Sequence, residues 1–414
     1  MAQSSDPDAA APDERPLAGV RVLAVENFVA APFATMWFAD AGAEVVKIEH
    51  PEHGDLSRGT NPRRADADGV EHGLAFLRTN RNKQSLTLDL KSEEGRRLFC
   101  ALAAQADVVV ENLRAGAMDK LGLGWTTLQA LNPRLIYVAI SGFGHEDTGA
   151  SPYTHYPAFD IVGQAMSGLM YRPERPDERP VYLGFSLSDI HTGIVAGQGA
   201  LMALFQRERT GKGQKVDVSL YDASLVLNEI SVAMYSVFQR RPASGLHGVT
   251  APFGAYRTRD GFIVIAVVGE PIWRRFCAAI GQPGLVDDER FADGMSRHAN
   301  LAALNVAIEP WLAARTRTEA VEALIAGGVP AALVNEVDDV FTCPHVAAHD
   351  MLVEFDDPVW GGVSVPANPI RMSGSAAPRR DLPPRLGEHT ATVLARWLDM
   401  SEEEVAALKE RGIV

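Results

Sequence analysis

Short apolar runs rich in β-branched residues alternate with helical stretches over the first third of the chain. The pattern predicts a strand at 19–25, a helix at 34–42 and a second strand at 43–49. Strand, helix, strand is the minimum unit of a parallel sheet, since parallel strands need a crossover connection. Further strands are predicted at 106–112 and 134–144. The fold class is therefore α/β, with a Rossmann-like large domain built on a parallel sheet.

Between these strands, Thr87–Leu90 is predicted to be extended. Ser92 is expected to cap a helix that reaches Gln105. Glu93 and Glu94 would lie in the first turn of this helix, where negative charge interacts favourably with the helix dipole.

The middle of the chain has a different pattern. One long helix is predicted from Asp189 to Arg209, and 254–267 predicts a β-hairpin that turns at Asp260-Gly261. Helices are predicted afterwards at 271–280, 300–314 and 317–326. These elements indicate a smaller α+β domain at 245–345.

The predicted organisation is a disordered tail at 1–15, the N-terminal part of the large domain at 16–200, a linker at 201–244, the small domain at 245–345, a second linker at 346–365 and the C-terminal part of the large domain at 366–414.

Composition and charge exclude several classes of function. The formal net charge of −14 argues against binding to nucleic acid or to anionic membranes, both of which need a basic face. No apolar run approaches the roughly 18 residues of a membrane span. The three cysteines lie far apart, so no disulfide framework is predicted, and we expect a cytoplasmic protein.

Common cofactor motifs are incomplete. The turn after the first predicted strand, Glu26 to Pro32, contains no glycine, which disfavours a dinucleotide site. The pairs His50/His53 and His345/His349 lack further ligands at a recognised spacing, so no metal is predicted.

A locally basic segment stands out in the acidic chain. Residues 58–91 contain four acidic residues and seven cationic ones. The cationic residues are Arg58, Arg63, Arg64, Arg78, Arg81, Lys83 and Lys91. This segment is either a solvated surface cluster or a face that recognises phosphate, and Arg114 would join it from the same sheet edge.

Two acids are candidates for chemistry. Asp189 stands at the start of the long predicted helix, where it is either an N-cap or a carboxylate kept ionised by the helix N-terminus. Small residues follow it, and they would allow another chain or a ligand to approach closely. Asp160 is expected to bond to backbone N–H groups.

Eight segments together resemble the class III coenzyme A (CoA) transferases, the group of formyl-CoA transferase and carnitine-CoA transferase. In the family's order they are AGAEVVKIEHPEHGD (41–55), NRNKQSLTLDLKSEEG (80–95), ADVVVENLRAG (106–116), NPRLIYVAISGFG (132–144), TGKGQKVDVSLYDA (210–223), GGVPAALVNEVDDVF (327–341), NPIRMSG (368–374) and LGEHT (386–390).

The resemblance implies a nucleophilic aspartate at Asp189. It also implies CoA contacts at Phe28, Val29, Ala30, His50, Lys91, Asn112 and Lys120, with Arg114 beside them. Val29 and His50 stand where formyl-CoA transferases have a glutamine and an arginine. For the family's glycine-rich loop, the candidates are Gly142, Gly144 and Gly245–Gly248.

The α-methylacyl-CoA racemases of the same superfamily are the alternative. They need a histidine immediately before the acid that matches Asp160, and this chain has Phe159 there. A phenyl ring cannot carry a proton, so transfer is favoured over racemisation.

The implied reaction moves CoA from an acyl-CoA to a carboxylic acid through covalent aspartyl intermediates. Acyl-CoA is then a substrate, and no permanently bound cofactor is expected. The donor is expected to be a short dicarboxylyl-CoA such as succinyl-CoA. The resemblance also implies an interlocked homodimer, in which each chain forms a ring threaded by the other. A CoA-binding protein without catalysis is the remaining alternative.

Overall fold

The computed structural model describes residues 13–171, 179–239 and 250–414. The chain forms two compact units. The first unit consists of the described parts of Met1–Met170 together with Val181–Glu229 and Asp350–Val414. The second consists of the described parts of Tyr171–Pro180 and Ile230–His349.

The strands of the described residues are β1 (Arg21–Val25), β2 (Glu44–Glu49), β3 (Arg63–Ala65), β4 (Glu71–Gly73), β5 (Gln84–Thr87), β6 (Val108–Glu111), β7 (Ile136–Ser141), β8 (Lys215–Ser219), β9 (Phe253–Arg257), β10 (Phe262–Ala266), β11 (Ala331–Leu333), β12 (Leu352–Asp357) and β13 (Gly361–Pro366).

The α-helices are α1 (Ala30–Asp40), α2 (Leu74–Leu77), α3 (Glu93–Ala103), α4 (Ala117–Lys120), α5 (Trp125–Leu131), α6 (Glu146–Gly149), α7 (Asp160–Met166), α8 (Leu187–Thr210), α9 (Leu220–Leu227), α10 (Glu229–Phe238), α11 (Glu270–Ala279), α12 (Gly294–Ala299), α13 (Leu301–Ala313), α14 (Arg317–Ala326), α15 (Val337–Thr342), α16 (Pro344–Ala348), α17 (Thr390–Leu398) and α18 (Glu402–Glu410). Short 3₁₀ turns lie at Leu56–Gly59, Pro283–Val286 and Glu289–Phe291.

A six-stranded sheet forms the centre of the first unit. Its order is β5-β2-β1-β6-β7-β8, and all neighbouring strands are parallel. From β1, the strands β2 and β5 are added on one side. The chain then crosses to the other side of β1, where β6, β7 and β8 follow in order. This is the doubly wound order, and its switch point lies between β1 and β6. The predicted α/β class is confirmed.

Helices cover both faces of this sheet. Val22 and Ala24 of β1 pack with Phe38 of α1 and the alanines of α8. Leu23 faces the other way, into a cluster with Phe99 of α3 and with α17. Because side chains alternate across a strand, a continuous apolar run such as β1 fills both cores.

The C-terminal residues return to the first unit. Thr390 at the start of α17 contacts Thr87 of β5 through a hydrogen bond of 3.0 Å between their hydroxyl groups. The predicted cap at Ser92 is confirmed, since its hydroxyl accepts a hydrogen bond from the Gly95 N–H. The capping box of Ser401 and Glu404 is present at the start of α18.

The second unit has its own sheet and core. Strands β9, β10 and β11 form an antiparallel sheet in the order β11-β10-β9. The predicted hairpin is confirmed, and it turns at Asp260-Gly261 between β9 and β10. Trp273, Phe276 and Phe291 fill a core with α11, α13 and α14.

Three predicted segments differ from the structure. The strand predicted at Thr87–Leu90 is displaced, because β5 ends at Thr87. Segment 201–244, predicted as a linker, contains the last turns of α8, the edge strand β8 of the six-stranded sheet, and helices α9 and α10. Segment 346–365 contains strand β12 and most of β13, which pair as an antiparallel hairpin.

Residues 1–12 of the predicted tail lie outside the described residues. Within the described end of this tail, Asp13 pairs with Arg15 at 2.8 Å and with Arg379 at 3.0 Å. None of the helices in the described ranges combines the length and the apolar character that a membrane crossing requires.

Candidate active site

A cavity of about 330 Å³ opens at the carboxyl edge of the six-stranded sheet. The loops after β1, β6 and β7 line it, together with the starts of α8 and α9. It lies at the switch point between β1 and β6, where open α/β sheets bind their ligands. Seven of the predicted site residues line it: Phe28, Val29, Ala30, Asn112, Arg114, Lys120 and Asp189.

Asp189 lies in the first turn of α8. The helix begins at Leu187 and its N-cap position is Ser186, so Asp189 is not the N-cap. Among the described residues, no hydrogen-bond donor contacts the Asp189 carboxylate, which is partly exposed in the cavity. Burial and the nearby Asp160 charge raise the pKa of Asp189 to about 7, and Arg78 opposes them. The carboxyl is therefore much more basic than the helix N-terminus alone would make it.

Asp160 anchors the backbone that carries Asp189. One of its oxygens, Oδ1, accepts hydrogen bonds from the N–H groups of Ser188 at 2.7 Å and Asp189 at 3.2 Å. The other oxygen accepts from the Gln164 side chain at 2.7 Å and the Tyr182 hydroxyl at 3.4 Å. The prediction that Asp160 bonds to the backbone is confirmed.

The small residues of α8 let a neighbouring helix approach, rather than a ligand. A Cβ atom on Gly193 would lie 2.5 Å from the carbonyl oxygen of Ala30, the first residue of α1. Ala196 and Ala200 extend the same contact into the core. The close packing of α1 and α8 brings the loop that ends at Ala30 beside Asp189.

The loop after β1 is held in an unusual conformation. Phe28 has a φ of 62°, in the left-handed region, which the absent glycine would have adopted more easily. Its N–H donates to Asp55 Oδ1 at 3.2 Å, and its carbonyl accepts from the Thr79 hydroxyl at 3.4 Å. These two contacts fix the backbone where it faces the cavity.

Asn112 joins the two loops at the switch point. Its Oδ1 accepts a hydrogen bond from the Asn27 N–H at 2.8 Å, and its Nδ2 donates to the Asn27 carbonyl at 2.8 Å. Both ends of the amide are therefore bonded within the protein. Asn112 fixes the distance between the β1 and β6 loops.

A buried ionic network lies beneath these loops. Glu26 lies 2.7 Å from Lys83 and 3.3 Å from Lys47, and Lys47 contacts Asp55 at 2.8 Å, with all four side chains fully buried. Burial raises the pKa of Glu26, but the charges of Lys47 and Lys83 outweigh it and lower that pKa. Since Asp55 also receives the Phe28 N–H, the network positions the cavity loop.

Most cations of the basic segment at 58–91 are bonded within the protein. Five of its cations are bonded within the protein: Arg58 to Glu49, Arg63 to Glu71, Arg64 to the carbonyl oxygens of Val359 and Trp360, Arg81 to Asp40, and Lys83 to Glu26. Except for Glu71, these partners lie outside residues 58–91, so a local count of charges does not include them. Within the described ranges, only Arg78 and Lys91 of the seven have no ion pair or side-chain hydrogen bond.

Three cations remain available around the cavity. Arg114 and Lys120 line it, are exposed, and form no ion pair with any described residue. The charge of Arg78 acts on Asp189 and lowers its pKa. The cavity can therefore offer positive charge to an anionic ligand.

The remaining two predicted contacts lie outside the cavity lining. His50 follows β2 at the same sheet edge, and its ring stacks on that of His53 with centroids 4.1 Å apart. Lys91 is exposed in the turn before α3. Both remain predicted contacts for a part of the ligand that extends from the cavity.

Two aromatic side chains, Phe28 and Phe159, line the cavity together with Asp189. The rings of Phe28 and Phe159 meet edge to face with centroids 5.6 Å apart, and Phe159 is 62% exposed. The histidine that lines the cavity, His155, is 76% exposed and pairs with Glu146 at 3.1 Å.

The glycine candidates have different environments. Gly142 lines the cavity, whereas the Gly144 N–H already donates to the Ser141 hydroxyl at 2.9 Å. Gly144 therefore cannot offer that donor to an oxyanion. The candidates Gly245–Gly248 lie outside the described residues.

His145 links the loops behind the cavity. Its Nδ1 lies 2.9 Å from Asp217 Oδ1, and its Nε2 lies 3.6 Å from Glu111 Oε1. Burial lowers the pKa of His145, but the hydrogen bonds and charges of the two acids outweigh it and raise that pKa to about 9. At neutral pH the imidazolium therefore ties the end of β6 and the loop after β7 to β8.

The described part of the chain contains no group of three or more histidine, cysteine or acidic side chains placed to hold a metal ion. Sequence reasoning missed the supporting roles of Asn27, Asp55 and Thr79. Their partners lie 85, 27 and 51 residues away, so no local motif marks them.

Comparison with known proteins gives consistent matches over nearly the whole chain. A family model described as CoA-transferase family III matches residues 17–390. The succinyl-CoA:mesaconate CoA-transferase of Haloarcula hispanica is 37% identical over 378 residues, which is 91% of this chain and 94% of that protein. The beta subunit of the succinyl-CoA–L-malate CoA-transferase of Chloroflexus aurantiacus is 35% identical, covering 96% of this chain and 98% of that protein.

A crystal structure of a CAIB/BAIF family protein from Brucella suis has the same fold. It superposes with a TM-score of 0.80 at 34% sequence identity, and the match covers 93% of this chain and all of that one.

Proposed function

The chain belongs to CoA-transferase family III, and we propose that it moves coenzyme A from succinyl-CoA to a carboxylic acid with Asp189 as the nucleophile. The observation that carries this proposal is the position of Asp189. Its carboxylate faces the switch-point cavity without a hydrogen-bond donor from the described residues, and it shares that cavity with two free cations.

The reaction proceeds by exchange of bonds at carbonyl carbon. Ionised Asp189 attacks the thioester, forms an aspartyl–acyl anhydride and releases CoA thiolate. The thiolate attacks the aspartyl carbonyl, which gives an aspartyl-CoA thioester and the free acid. The acceptor carboxylate attacks this thioester, and the released thiolate then attacks the acceptor's carbonyl, which frees Asp189. The energy of the thioester is retained on the enzyme throughout.

The raised pKa of Asp189 supports this role. A carboxylate that is desolvated and lies beside another negative charge is more basic than one in water. A pKa near 7 leaves a large ionised fraction at neutral pH while making the oxygen a better nucleophile.

The cavity walls support binding of a CoA thioester. Arg114 and Lys120 supply positive charge for phosphate groups, and the Phe28-Val29-Ala30 loop supplies backbone next to the start of α1. His50 and Lys91, at the same edge of the sheet, contact the more distant part of the molecule.

A dicarboxylate acyl group fits the surroundings of Asp189. Arg78 has no ion pair with any described residue, and its charge acts on Asp189. A second carboxylate on the acyl group would give this cation a partner. The succinyl-CoA donors in the names of both curated relatives support the same class.

The protein functions as an interlocked homodimer in the cytoplasm. Large apolar side chains of α8 are exposed in the single chain, with Leu201 at 44%, Met202 at 61% and Phe205 at 70%. A contiguous exposed apolar helix face indicates a protein interface. Interlocked subunits cannot separate without unfolding, so two differently tagged dimers should not exchange subunits on mixing until both are unfolded and refolded together.

A matrix of donors and acceptors tests the function. Succinyl-CoA and acetyl-CoA, the thioesters of a dicarboxylic and a monocarboxylic acid, are each incubated with a panel of mono- and dicarboxylates. New thioesters are identified by mass spectrometry. We expect transfer from succinyl-CoA to at least one dicarboxylate, abolished in Asp189→Ala while CoA binding persists. Near-normal transfer by that variant would remove the nucleophile assignment.

Racemisation of a 2-methylacyl-CoA is the alternative. It would exchange the α-proton with deuterated solvent and need no acceptor acid. Phe159 on the cavity wall disfavours it, because the site then has no imidazole next to Asp160. Deuterium incorporation into a 2-methylacyl-CoA would favour this alternative.

A further inference from the structure

We propose that Asp160 is a positioning residue of the transferase reaction: one of its oxygens fixes the first turn of α8, and its charge controls the ionisation of the Asp189 carboxylate. This inference rests on the proposed function, because it assigns Asp160 a role through the nucleophile. Asp160 itself does not line the cavity.

The hydrogen bonds give the positional part of the argument. The first N–H groups of a helix have no partners within the helix, and a carboxylate is their strongest acceptor. Here a single oxygen of Asp160 accepts from both Ser188 and Asp189, at 2.7 Å and 3.2 Å. Since the second bond comes from the nucleophile's own N–H, a shift of Asp160 moves Asp189 with it.

The surroundings of Asp160 hold it rigidly. It is only 7% exposed, and its second oxygen is bonded to Gln164 at 2.7 Å. Gly163, in the same helix, packs so closely that a Cβ there would lie 2.2 Å from the Ser188 hydroxyl oxygen. The α7 segment therefore has little freedom to move relative to the start of α8.

The charge gives the second part of the argument. The negative charge of Asp160 disfavours the ionised form of the neighbouring Asp189 carboxylate. Other charged and titratable groups also surround Asp189, on several elements: Arg78 after α2, Tyr182 before α8, and Arg114, Lys120, His155 and Tyr156 on the cavity wall. Asp160 is the acid among them that raises the pKa of Asp189.

Asp160→Asn separates charge from geometry. Asparagine keeps an oxygen for the two N–H groups but removes the negative charge. Its new NH₂ group has an acceptor nearby, since Gln164 Oε1 is buried without a hydrogen-bond partner among the described residues. We expect the acidic limb of the kcat/KM profile for acyl-CoA to move about one pH unit lower.

Asp160→Ala removes both functions. We expect kcat to fall by roughly 100-fold, because a small displacement of the nucleophile is costly, while KM for acyl-CoA changes little. Asp66→Asn is the matched control. Asp66 Oδ1 also accepts two backbone N–H groups, from Asp68 at 3.0 Å and Val70 at 2.9 Å, and it lies outside the cavity lining. The Asp66→Asn variant should change neither the pH profile of kcat/KM nor the value of kcat.

A second readout does not depend on turnover. The difference in thermal midpoint between the protein and its Asp189→Asn variant, followed against pH, reports the titration of Asp189. In an Asp160→Asn background that titration should move in the same acidic direction. An unchanged titration in both readouts would overturn the inference, as would wild-type kcat in folded Asp160→Ala. If Asp160→Ala does not fold, Asp160→Asn carries the test.

The two proposals fail in different ways. Substantial turnover by Asp189→Asn would contradict the proposed nucleophile but leave the thermal titration as evidence for the coupling of Asp160 and Asp189. An unchanged titration with an inactive Asp189→Asn would contradict only the role of Asp160.

Discussion

Gly193 of α8 lies directly against the backbone of Ala30, so that a Cβ atom at this position would be 2.5 Å from the Ala30 carbonyl oxygen. Ala30 both begins α1 and lines the cavity. The contact between these two residues therefore sets the spacing between the helix that carries Asp189 and the loop that faces it.

We predict that Gly193→Ala destabilises the protein by about 1–3 kcal/mol, because the added methyl group forces α1 and α8 apart. Turnover should fall as well, since Ala30 moves in the cavity. Gly197→Ala, one turn further along the same helix, is the control. A Cβ there meets only the Phe38 ring, at 3.6 Å, so it should be neutral or stabilising. Urea unfolding and steady-state kinetics of the two variants measure the difference; equal effects would contradict this account of the packing.

Asn112→Ala should raise KM for acyl-CoA about tenfold with a smaller change in kcat. It removes two hydrogen bonds that hold the β1 and β6 loops together, each worth about 1 kcal/mol. Asn132→Ala is the matched control. Asn132 also links backbone segments, since its side chain donates to the Ala106 carbonyl at 2.9 Å, but it does not line the cavity. That variant should lose stability and keep its KM. A normal KM in Asn112→Ala would show that the loops do not need this link.

The sequence predicted the elements whose causes are local. The strand at 106–112 reads as apolar and is buried on both faces in β6. The Ser92 cap and the hairpin turn at Asp260-Gly261 depend on residues only a few positions apart, and both are confirmed. The strand predicted at Thr87–Leu90 begins and ends earlier in the structure, at Gln84–Thr87. Gln84 and Ser85, although polar, pair with β2 in the sheet.

The site was predictable only in part. The resemblance named residues that the fold brings together around Asp189, and most of them follow the carboxyl end of a strand or begin a helix. A local count of charges could not choose between the two interpretations of the basic segment, because it misses partners such as Asp40, which lies 41 residues from Arg81. The basicity of Asp189 also depends on burial and on Asp160, which lies on another helix.

Glu26→Ala should cost roughly 3–5 kcal/mol of stability, since it leaves the buried Lys83 without its carboxylate partner. Glu94→Ala removes an exposed ion pair with Arg97 and a favourable interaction with the α3 dipole, and it is the control, with a loss expected that is small beside that of Glu26→Ala. Chemical denaturation at pH 7 measures both. If Glu26→Ala were as stable as Glu94→Ala, the buried network would not support the cavity loops as described.

The titration of Asp189 should appear in the stability of the folded protein. Its pKa is raised from 3.8 to about 7, so the folded state keeps a proton that the unfolded state loses between these values. The stability of the protein should therefore fall as pH rises from about 4 to 7 on account of this group, and then level off. Asp189→Asn removes this cost, so its advantage in thermal midpoint should grow over the same interval. A flat difference for Asp189→Asn across this interval would contradict the raised pKa of Asp189.

Trapping of the covalent intermediate tests the central claim most directly. The protein is incubated with succinyl-CoA, quenched with hydroxylamine, digested and examined by peptide mass spectrometry. We predict a hydroxamate at Asp189 that requires succinyl-CoA and is absent when CoA alone is supplied. Continued CoA transfer with an unmodified Asp189, or with the label on another carboxylate such as Asp160, would contradict it.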